Sequence, residues 1–316
     1  MHSKQSPLST RRTFLQTAAA AAATSWLATA ARAEGTKSVR LGGPVFNAPA
    51  DPEGLALAHK KIGYRAAYCP GVQLGETEKI RDIEAAFKKH DVAIAEVGRW
   101  VNLLEADPAK RAANLKTVTE GLALADAVGA RCCVDIAGSY NPKSWFGPHP
   151  ENFSQRFFDE TVENARKIID AVKPRRAKFA FEMMGWAIPH TPDAYLKLLK
   201  AVDRPAFAVH LDPCNLINSP EKFYDTTALL NECFDKLGPH IVSCHAKDLT
   251  WDVEMNLHFR EVTVGTGTID FGTYLKRLAA LGDVPLMIEH MANAEEYDRS
   301  RRCLLELAPK VGVHLG

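Results

Sequence analysis

The sequence predicts one domain of the α/β class, a (β/α)8 barrel, and two observations lead to that fold. After residue 38, eight short apolar runs alternate with longer stretches that carry a helical pattern of apolar residues. Each run is almost continuously apolar, as strands buried on both faces of a parallel sheet must be. Residues 34–316 also suit the length of such a barrel, roughly 250 residues plus insertions. A doubly wound open sheet is the alternative, but no GxGxxG motif follows the first run.

The strands and helices can be assigned in chain order from these runs and from helix-start signals. The eight predicted strands cover 39–43, 64–69, 92–98, 132–138, 178–184, 207–212, 241–247 and 285–291. Capping residues mark the helix starts, and three of them are followed by proline at the first helical position. The helices predicted from these signals cover 77–90, 108–128, 192–200 and 220–236. Residues 249–267 are expected to form a long loop.

Residues 1–33 resemble a twin-arginine export signal rather than part of the barrel. Paired arginines at 11–12 precede an alanine-rich apolar stretch, and residues 31–33 form a small-x-small cleavage site. The alternative is an amphipathic or membrane-anchoring helix, but the apolar stretch 18–31 is shorter than the roughly 20 residues that span a bilayer. We therefore expect a periplasmic protein without a stable membrane anchor, whose barrel covers 34–316.

Composition narrows the range of partners. The chain is 46% hydrophobic and 24% charged, with a formal net charge of +1, which is ordinary for a globular domain. Proteins that bind nucleic acid usually carry a basic excess that neutralises phosphates. We therefore expect a small molecule as the partner, and we do not expect the protein to bind nucleic acid. The sequence leaves open whether the chain forms a homo-oligomer.

Four polar residues lie at or near the carboxyl ends of the last four predicted strands, and together they indicate a metal site. They are Glu182, Asp212, His245 and Glu289, spaced by about one strand–helix unit each. In a (β/α)8 barrel such strand ends meet at the face that carries the chemistry. Each residue alone could be a helix cap, a salt-bridge partner or a buried hydrogen-bonding histidine. Three converging carboxylates, however, would repel one another unless a divalent cation neutralised them.

The ligand types constrain the cation. Three carboxylates and one imidazole are mainly hard donors, which favour Mn²⁺, Mg²⁺ or Co²⁺ and leave Zn²⁺ open. Mn²⁺ is the first expectation for this one-metal site.

Several motifs together resemble the xylose isomerase-like TIM-barrel superfamily, in its sugar phosphate isomerase/epimerase group. The motifs are EMMGW, HLDPCN, CHAKD, GTGTIDF and MIEHM, and the likeness is strongest after residue 178. The resemblance implies one divalent metal held by Glu182, Asp212, His245 and Glu289. It also implies that Glu182 and Glu289 are catalytic, because the two metal-bound glutamates of the ketose epimerases move the proton.

Asn215 separates this chain from two branches of that superfamily. Endonuclease IV, a three-zinc phosphodiesterase, carries histidine at the comparable place and further histidines on strands two and three. Here Asn215 replaces that ligand, and the second and third predicted strands end without histidine. One metal is therefore expected rather than a cluster. Tagatose-type epimerases also carry histidine there, so the chain departs from them too.

Residues around the four ligands are candidates for the substrate pocket. Trp100 and Trp186 could stack on a sugar or pack at the rim. Glu96 is a third candidate acid/base or a salt-bridge partner of Arg99, and His210 shares the inward face of Asp212. Arg260 resembles a substrate-contacting arginine of the epimerases. The predicted substrate-binding residues are Glu96, Trp100, Trp186, His210, Asn215, Lys247 and Arg260.

Three functions remain open at this level. The first is a metal-dependent isomerase or epimerase that transfers a proton beside a sugar carbonyl. The second is a lyase that cleaves a 3-keto-glycoside by β-elimination, and the third is a non-catalytic periplasmic sugar-binding barrel. Export predicts an unphosphorylated sugar or glycoside as the ligand, and no basic cluster accompanies GTGTIDF at 265–271.

Overall fold

Eight parallel strands close into a barrel in the computed structural model, which describes residues 38–316. The barrel strands are β1 (Ser38–Gly42), β2 (Ala66–Tyr68), β3 (Ala93–Gly98), β4 (Cys132–Asp135), β5 (Lys178–Glu182), β6 (Phe207–Leu211), β7 (Ile241–Ala246) and β10 (Pro285–Ile288). Strand β10 pairs with β1, with Arg40 opposite Pro285, and this pairing closes the sheet. The predicted (β/α)8 TIM barrel is therefore confirmed. The predicted export signal at 1–33 lies outside the described residues.

Helices follow the strands and cover the outside of the barrel. They are α1 (Pro52–Lys61), α2 (Thr77–Lys89), α3 (Pro108–Val128), α4 (Gln155–Val172), α5 (Pro192–Val202), α6 (Pro220–Tyr224), α7 (Thr226–Leu237), α8 (Phe271–Leu281) and α9 (Ala294–Leu307). Asp107 caps α3 by accepting hydrogen bonds from the backbone of Ala109 and Lys110, at 2.8 and 3.0 Å. Within the described range, no helix is both long and apolar enough to cross a membrane.

The core has two layers because side chains alternate along each strand. Outward-facing residues pack against the helices, as Phe181 does, whose backbone carbonyl accepts a hydrogen bond from Tyr195 Oη at 2.7 Å. Inside the barrel, Ala66, Ala95 and Met287 form a small buried cluster. Polar residues of the inward face lie above that cluster, towards the carboxyl ends of the strands, where the candidate site is built.

Two elements differ from the prediction. Part of the expected loop 249–267 belongs to an antiparallel hairpin, β8 (Asp248–Trp251) and β9 (Phe259–Val262). Phe259 stacks on Phe223 with ring centroids 5.0 Å apart, which anchors the hairpin to the barrel. The predicted helix 220–236 is divided into α6 and α7 because the Asp225 carboxylate accepts a hydrogen bond from the Ala228 amide at 2.9 Å and starts a new helix.

Candidate metal centre

The four predicted ligands converge at the carboxyl ends of four adjacent barrel strands. Glu182 ends β5, Asp212 follows β6, His245 lies in β7 and Glu289 follows β10. One ligand atom from each lies within 4.8 Å of the others. The Nδ1 atom of His245 lies 3.0 Å from Glu289, 3.1 Å from Glu182 and 3.4 Å from Asp212. The sequence pattern therefore brings these side chains to one point.

This arrangement fits a bound cation better than a closed hydrogen-bond network. His245 Nδ1 carries at most one proton and can donate to only one of its three carboxylate neighbours. Among the described residues, Asp212 Oδ2 and Glu289 Oε2 are buried without a hydrogen-bond partner. The ammonium of Lys247 lies 2.9 Å from Asp212 Oδ2, but outside hydrogen-bonding geometry. Buried carboxylate oxygens of this kind are usually paired or bound to metal.

The pKa values of the site follow from burial opposed by neighbouring charges. Burial raises the pKa of Glu182 above its ordinary value, and His245 and Lys247 offset only part of that rise. Burial acts in the same direction on Asp212 and Glu289. There, His245 and Lys247 outweigh it and hold the pKa of both carboxyls below the ordinary value. Asp212 and Glu289 are therefore ionised at neutral pH, the state in which carboxylates bind metal.

A second buried cluster lies beneath His245 and orients its ring. Glu96 accepts a hydrogen bond from Ser243 Oγ at 2.9 Å and lies 2.9 Å from Nε2 of His210. Its other carboxylate oxygen lies 3.1 Å from Nε2 of His245, the nitrogen opposite the one that faces the ligand carboxylates. Outer carboxylates of this kind set the tautomer of a metal-binding histidine. The complete burial of Glu96 and His210 favours this positioning role, and their substrate contact stays a prediction.

Lys247 and Asn215 join the ligand strands to one another. Lys247 is almost completely buried and lies 3.7 Å from Glu289 and 3.9 Å from Glu182, in addition to its approach to Asp212. Burial would lower the pKa of Lys247, but these carboxylates raise the pKa well above its ordinary value. The Asn215 amide donates to Glu182 at 3.1 Å and accepts from Lys247 at 2.9 Å. Asn215 thus holds the predicted ligand Glu182 in place. A histidine at this position would instead add a further ligand.

The β8–β9 hairpin brings further charge to the site, which the sequence analysis did not foresee. Glu261 of this hairpin lies 3.5 Å from Lys247 and 2.9 Å from His290 Nδ1. His290 follows Glu289 directly and has a φ of 60°, a left-handed conformation that is uncommon for residues other than glycine. Arg260 pairs with Asp252 at 2.7 Å on the same hairpin. The hairpin therefore places polar side chains beside the predicted metal ligands.

A cavity of about 1000 Å³ opens above the four ligands. Its walls come from the loops after β3 to β6, from the hairpin and from the segment after β10. Five predicted substrate-binding residues line it, namely Trp100, Trp186, Asn215, Lys247 and Arg260. The Trp100 ring lies 6.4 Å from the ring of His245, near the predicted metal ligands. Glu96 and His210 do not line this cavity.

The backbone amides of the glycine-containing motif 265–271 are hydrogen-bonded to a side chain of the protein itself. The buried carboxylate of Asp248 accepts hydrogen bonds from the backbone amides of Gly265 at 2.9 Å, Gly267 at 2.8 Å and Ile269 at 3.1 Å. A Cβ atom on Gly267 would lie 2.2 Å from Asp248 Oδ1, so glycine is required for this approach. The amides that could have held a phosphate are thus already bonded.

Comparison with known proteins places the chain in a family. The family model described as xylose isomerase-like TIM barrel matches residues 57–307. The chain belongs to the xylose isomerase-like TIM barrel family. This confirms the family predicted from the sequence motifs. A search of curated protein sequences gave no match.

Solved structures share the fold of this xylose isomerase-like barrel across several activities. A xylose isomerase domain protein from Planctomyces limnophilus has a TM-score of 0.62 at 18% identity, covering 87% of this chain and 96% of its own. A 3-keto-D-glucoside 4-epimerase from E. coli gives 0.59 at 16%, covering 85% and 99%. Endonuclease IV from Thermus thermophilus gives 0.61 at 18%, covering 84% and 99%. At these identities the likeness concerns the fold, so the chemistry must be argued from the site.

Asp135 is a functional candidate of this xylose isomerase-like barrel that the sequence analysis missed. It ends β4 and is completely buried, and its Oδ1 accepts hydrogen bonds from the backbone amides of Val101 at 3.1 Å and Ile136 at 2.8 Å. The first of these bonds fixes the segment that carries Trp100. A charged residue at the end of a buried strand was the signal that identified the four ligands, and it applies equally to Asp135.

Replacing Asp135 tests whether its carboxyl group stabilises the fold in the protonated, uncharged state. Burial raises the pKa of Asp135 well above its ordinary value, so the folded chain keeps a proton that the unfolded chain loses near pH 4. The stability from this group is full below that pH and is lost as pH rises through the folded pKa. Asp135→Asn should therefore match the wild type in acid and gain stability at neutral pH. Asp135→Leu should lose about 1–3 kcal/mol for each abandoned amide. Urea unfolding at pH 4 and 7 measures both, and equal losses in the two variants would show that the charge itself is needed.

Proposed function

We propose that the protein is a divalent-metal-dependent isomerase or epimerase that transfers a proton beside the carbonyl of an unphosphorylated sugar or glycoside. The observation that carries this proposal is the four-ligand cluster at the floor of a large cavity, in which two ionised carboxylates each keep one buried oxygen without a hydrogen bond. Family membership supports an enzyme in general, because the structural relatives include sugar epimerases and other enzymes.

Glu182, Asp212, His245 and Glu289 would hold one divalent ion. Their donor set favours Mn²⁺, with Mg²⁺, Co²⁺ or Zn²⁺ as alternatives. A cation held there supplies Lewis acidity to a sugar carbonyl or hydroxyl, which acidifies the neighbouring C–H bond. The buried contact between Glu96 and His245 keeps the imidazole aimed at this position.

The two glutamates would transfer the proton. Glu182 and Glu289 belong to β5 and the end of β10 and reach the ligand position from different sides. Removal of the proton by one carboxylate and its return by the other gives epimerisation, whereas return to the adjacent carbon gives isomerisation. The Lys247 ammonium, held between the carboxylates, stabilises negative charge that develops on the substrate oxygen. Trp100 offers an aromatic face beside His245 for the sugar ring.

A second candidate is β-elimination from a 3-keto-glycoside. This reaction shares the first proton removal, but a group on the next carbon leaves instead of a proton returning. The volume of the cavity favours it, because room remains for a leaving group beyond the sugar ring. A non-catalytic sugar-binding barrel is the third reading, and two glutamates at the ligand position argue against it.

A substrate screen separates these activities. Ketoses, aldoses and 3-keto-glucosides are incubated with and without Mn²⁺, the ion is removed by chelation, and products are followed by NMR. Metal-dependent formation of an epimer or isomer supports the main proposal, and release of a free aglycone supports elimination. Binding of sugar and metal without any product or proton exchange would support a non-catalytic sugar-binding barrel.

Phosphorylated substrates are expected to be poorer than their unphosphorylated counterparts. Asp248 takes the amides of the motif 265–271, and the periplasmic location that we propose from residues 1–33 would separate the protein from sugar phosphates. We expect kcat/KM to be at least tenfold lower on a sugar phosphate than on the free sugar. Matched pairs such as fructose and fructose 6-phosphate provide the measurement, and a preference for the phosphorylated member would contradict the proposal.

A further inference from the structure

The cavity is larger than one sugar ring requires. Its volume of about 1000 Å³ matches the upper end of the about 300–1,000 Å³ typical of pockets that bury a whole drug-sized ligand. The proposed sugar position lies at the strand ends, over Glu182 and Glu289. The remaining space extends between the loops that follow β4 and β5 and the β8–β9 hairpin.

Three aromatic side chains face this remaining space. Trp145 and Phe146 lie in the loop after β4, and Trp186 lies in the loop after β5. They are 39%, 45% and 56% exposed, although large aromatic side chains are usually covered. The rings of Trp145 and Phe146 meet edge to face at 5.2 Å. We call these three residues the aromatic wall.

A buried amide organises the aromatic wall. Asn152 is completely buried and donates hydrogen bonds to the carbonyl oxygens of Gly147 at 3.1 Å and Trp186 at 2.9 Å. Its side-chain oxygen accepts from the Tyr140 amide at 3.0 Å. One side chain thus ties the loop that carries Trp145 and Phe146 to the loop that carries Trp186. The exposed rings belong to a positioned surface rather than to two independent loops.

The aromatic wall and the charged residues of the hairpin belong to different elements that line the cavity. Ile136 and Met184 line it on the loops that also carry the aromatic wall. The charged lining residues Arg260, Glu261 and His290 belong instead to the hairpin and to the segment after β10, and the hairpin also contributes Leu257 and Phe259. A second sugar ring needs hydrogen-bond partners around the face on which it stacks. The aromatic wall therefore fits a flat, apolar group better than another sugar.

We propose that the aromatic wall of Trp145, Phe146 and Trp186 is a subsite for the planar, apolar aglycone of a glycoside whose sugar ring lies over the metal ligands. This inference rests on the proposed function for the position of the sugar, and it narrows the substrate class to aryl glycosides. The aglycone is recognised by stacking on the rings, and the Asn152 bonds hold those rings in place before the substrate arrives.

Binding measurements test the subsite without requiring turnover. The probes are 4-nitrophenyl β-D-glucoside, methyl β-D-glucoside and cellobiose, titrated calorimetrically into the full-length protein with Mg²⁺. We expect the aryl glucoside to bind at least tenfold more tightly than the methyl glucoside, and cellobiose to bind no more tightly than the methyl glucoside. Trp145→Ala and Phe146→Ala should each weaken aryl glucoside binding about three- to tenfold and leave methyl glucoside binding unchanged. Trp251→Ala is the matched control, because Trp251 is 50% exposed on β8 but does not line the cavity.

The outcomes separate this inference from the proposed function. Equal binding of the aryl and methyl glucosides, tighter binding of cellobiose, or no measurable aryl glucoside binding at millimolar concentration would overturn the subsite. Proton exchange on a small keto sugar would still support the proposed function in those cases. An aryl preference that both alanine variants reduce, in a protein that exchanges no sugar proton, would support the subsite and refute the proposed function.

Discussion

Asp212→Ala and His245→Ala are each expected to abolish metal binding and activity together. Each removes one of four ligands, and Asp212→Ala also leaves the buried Lys247 without its nearest carboxylate. The loss of metal affinity should exceed the roughly 10- to 100-fold that follows from losing an outer partner of a ligand. Calorimetric titration with Mn²⁺, with circular dichroism to confirm folding, measures the effect.

His240→Ala is the control for this experiment. His240 is an exposed histidine at the other end of β7, next to Ile241 where the strand begins. The His240→Ala variant should bind one Mn²⁺ per chain with wild-type affinity. Retention of one tightly bound metal by both Asp212→Ala and His245→Ala would show that the cation is held elsewhere. If both variants unfold, metal binding is measured on Asp212→Asn instead, which keeps the shape of the side chain but loses its charge.

Glu182→Gln and Glu289→Gln are expected to lose about 10²- to 10⁴-fold in the rate of substrate C–H exchange, the contribution typical of a positioned acid or base. Each glutamine keeps an oxygen that can reach the metal but cannot take up the proton. Metal content must therefore be measured with the rate, so that loss of the ion is not mistaken for loss of the base. Glu232→Gln, at an exposed glutamate of α7, provides the control. Wild-type exchange by both glutamine variants would require another base.

The barrel and the convergence of the four candidate ligands could be predicted because each rests on a local signal. Continuous apolar runs marked the eight strands, and a polar residue lay at or near the carboxyl end of each of the last four. Glu96 and His210 were predicted to contact substrate, but neither lines the cavity. His210 lies two residues before Asp212, which corresponds to about 6.6 Å along the strand, and Glu96 lies beside His210 at 2.9 Å.

The rest of the site depends on contacts that no local pattern reveals. The hairpin is held by the stacking of Phe259 on Phe223, and its Glu261 reaches Lys247 only when β8 and β9 pair. The aromatic wall requires Asn152 to bond Trp186, which lies 34 residues further along the chain. Such long-range arrangements follow from the closed barrel and could not be inferred from spacing alone.

Deuterium incorporation tests the central claim most directly. The wild-type protein with Mn²⁺ is incubated in D2O with a keto sugar or 3-keto-glucoside, and the recovered sugar is analysed by mass spectrometry. The proposed function predicts one deuterium on the carbon beside the carbonyl, dependent on the metal and strongly reduced in Glu182→Gln and Glu289→Gln. Metal-dependent product formation without any deuterium, or incorporation at the same rate in Asp212→Ala, would contradict proton transfer at this site.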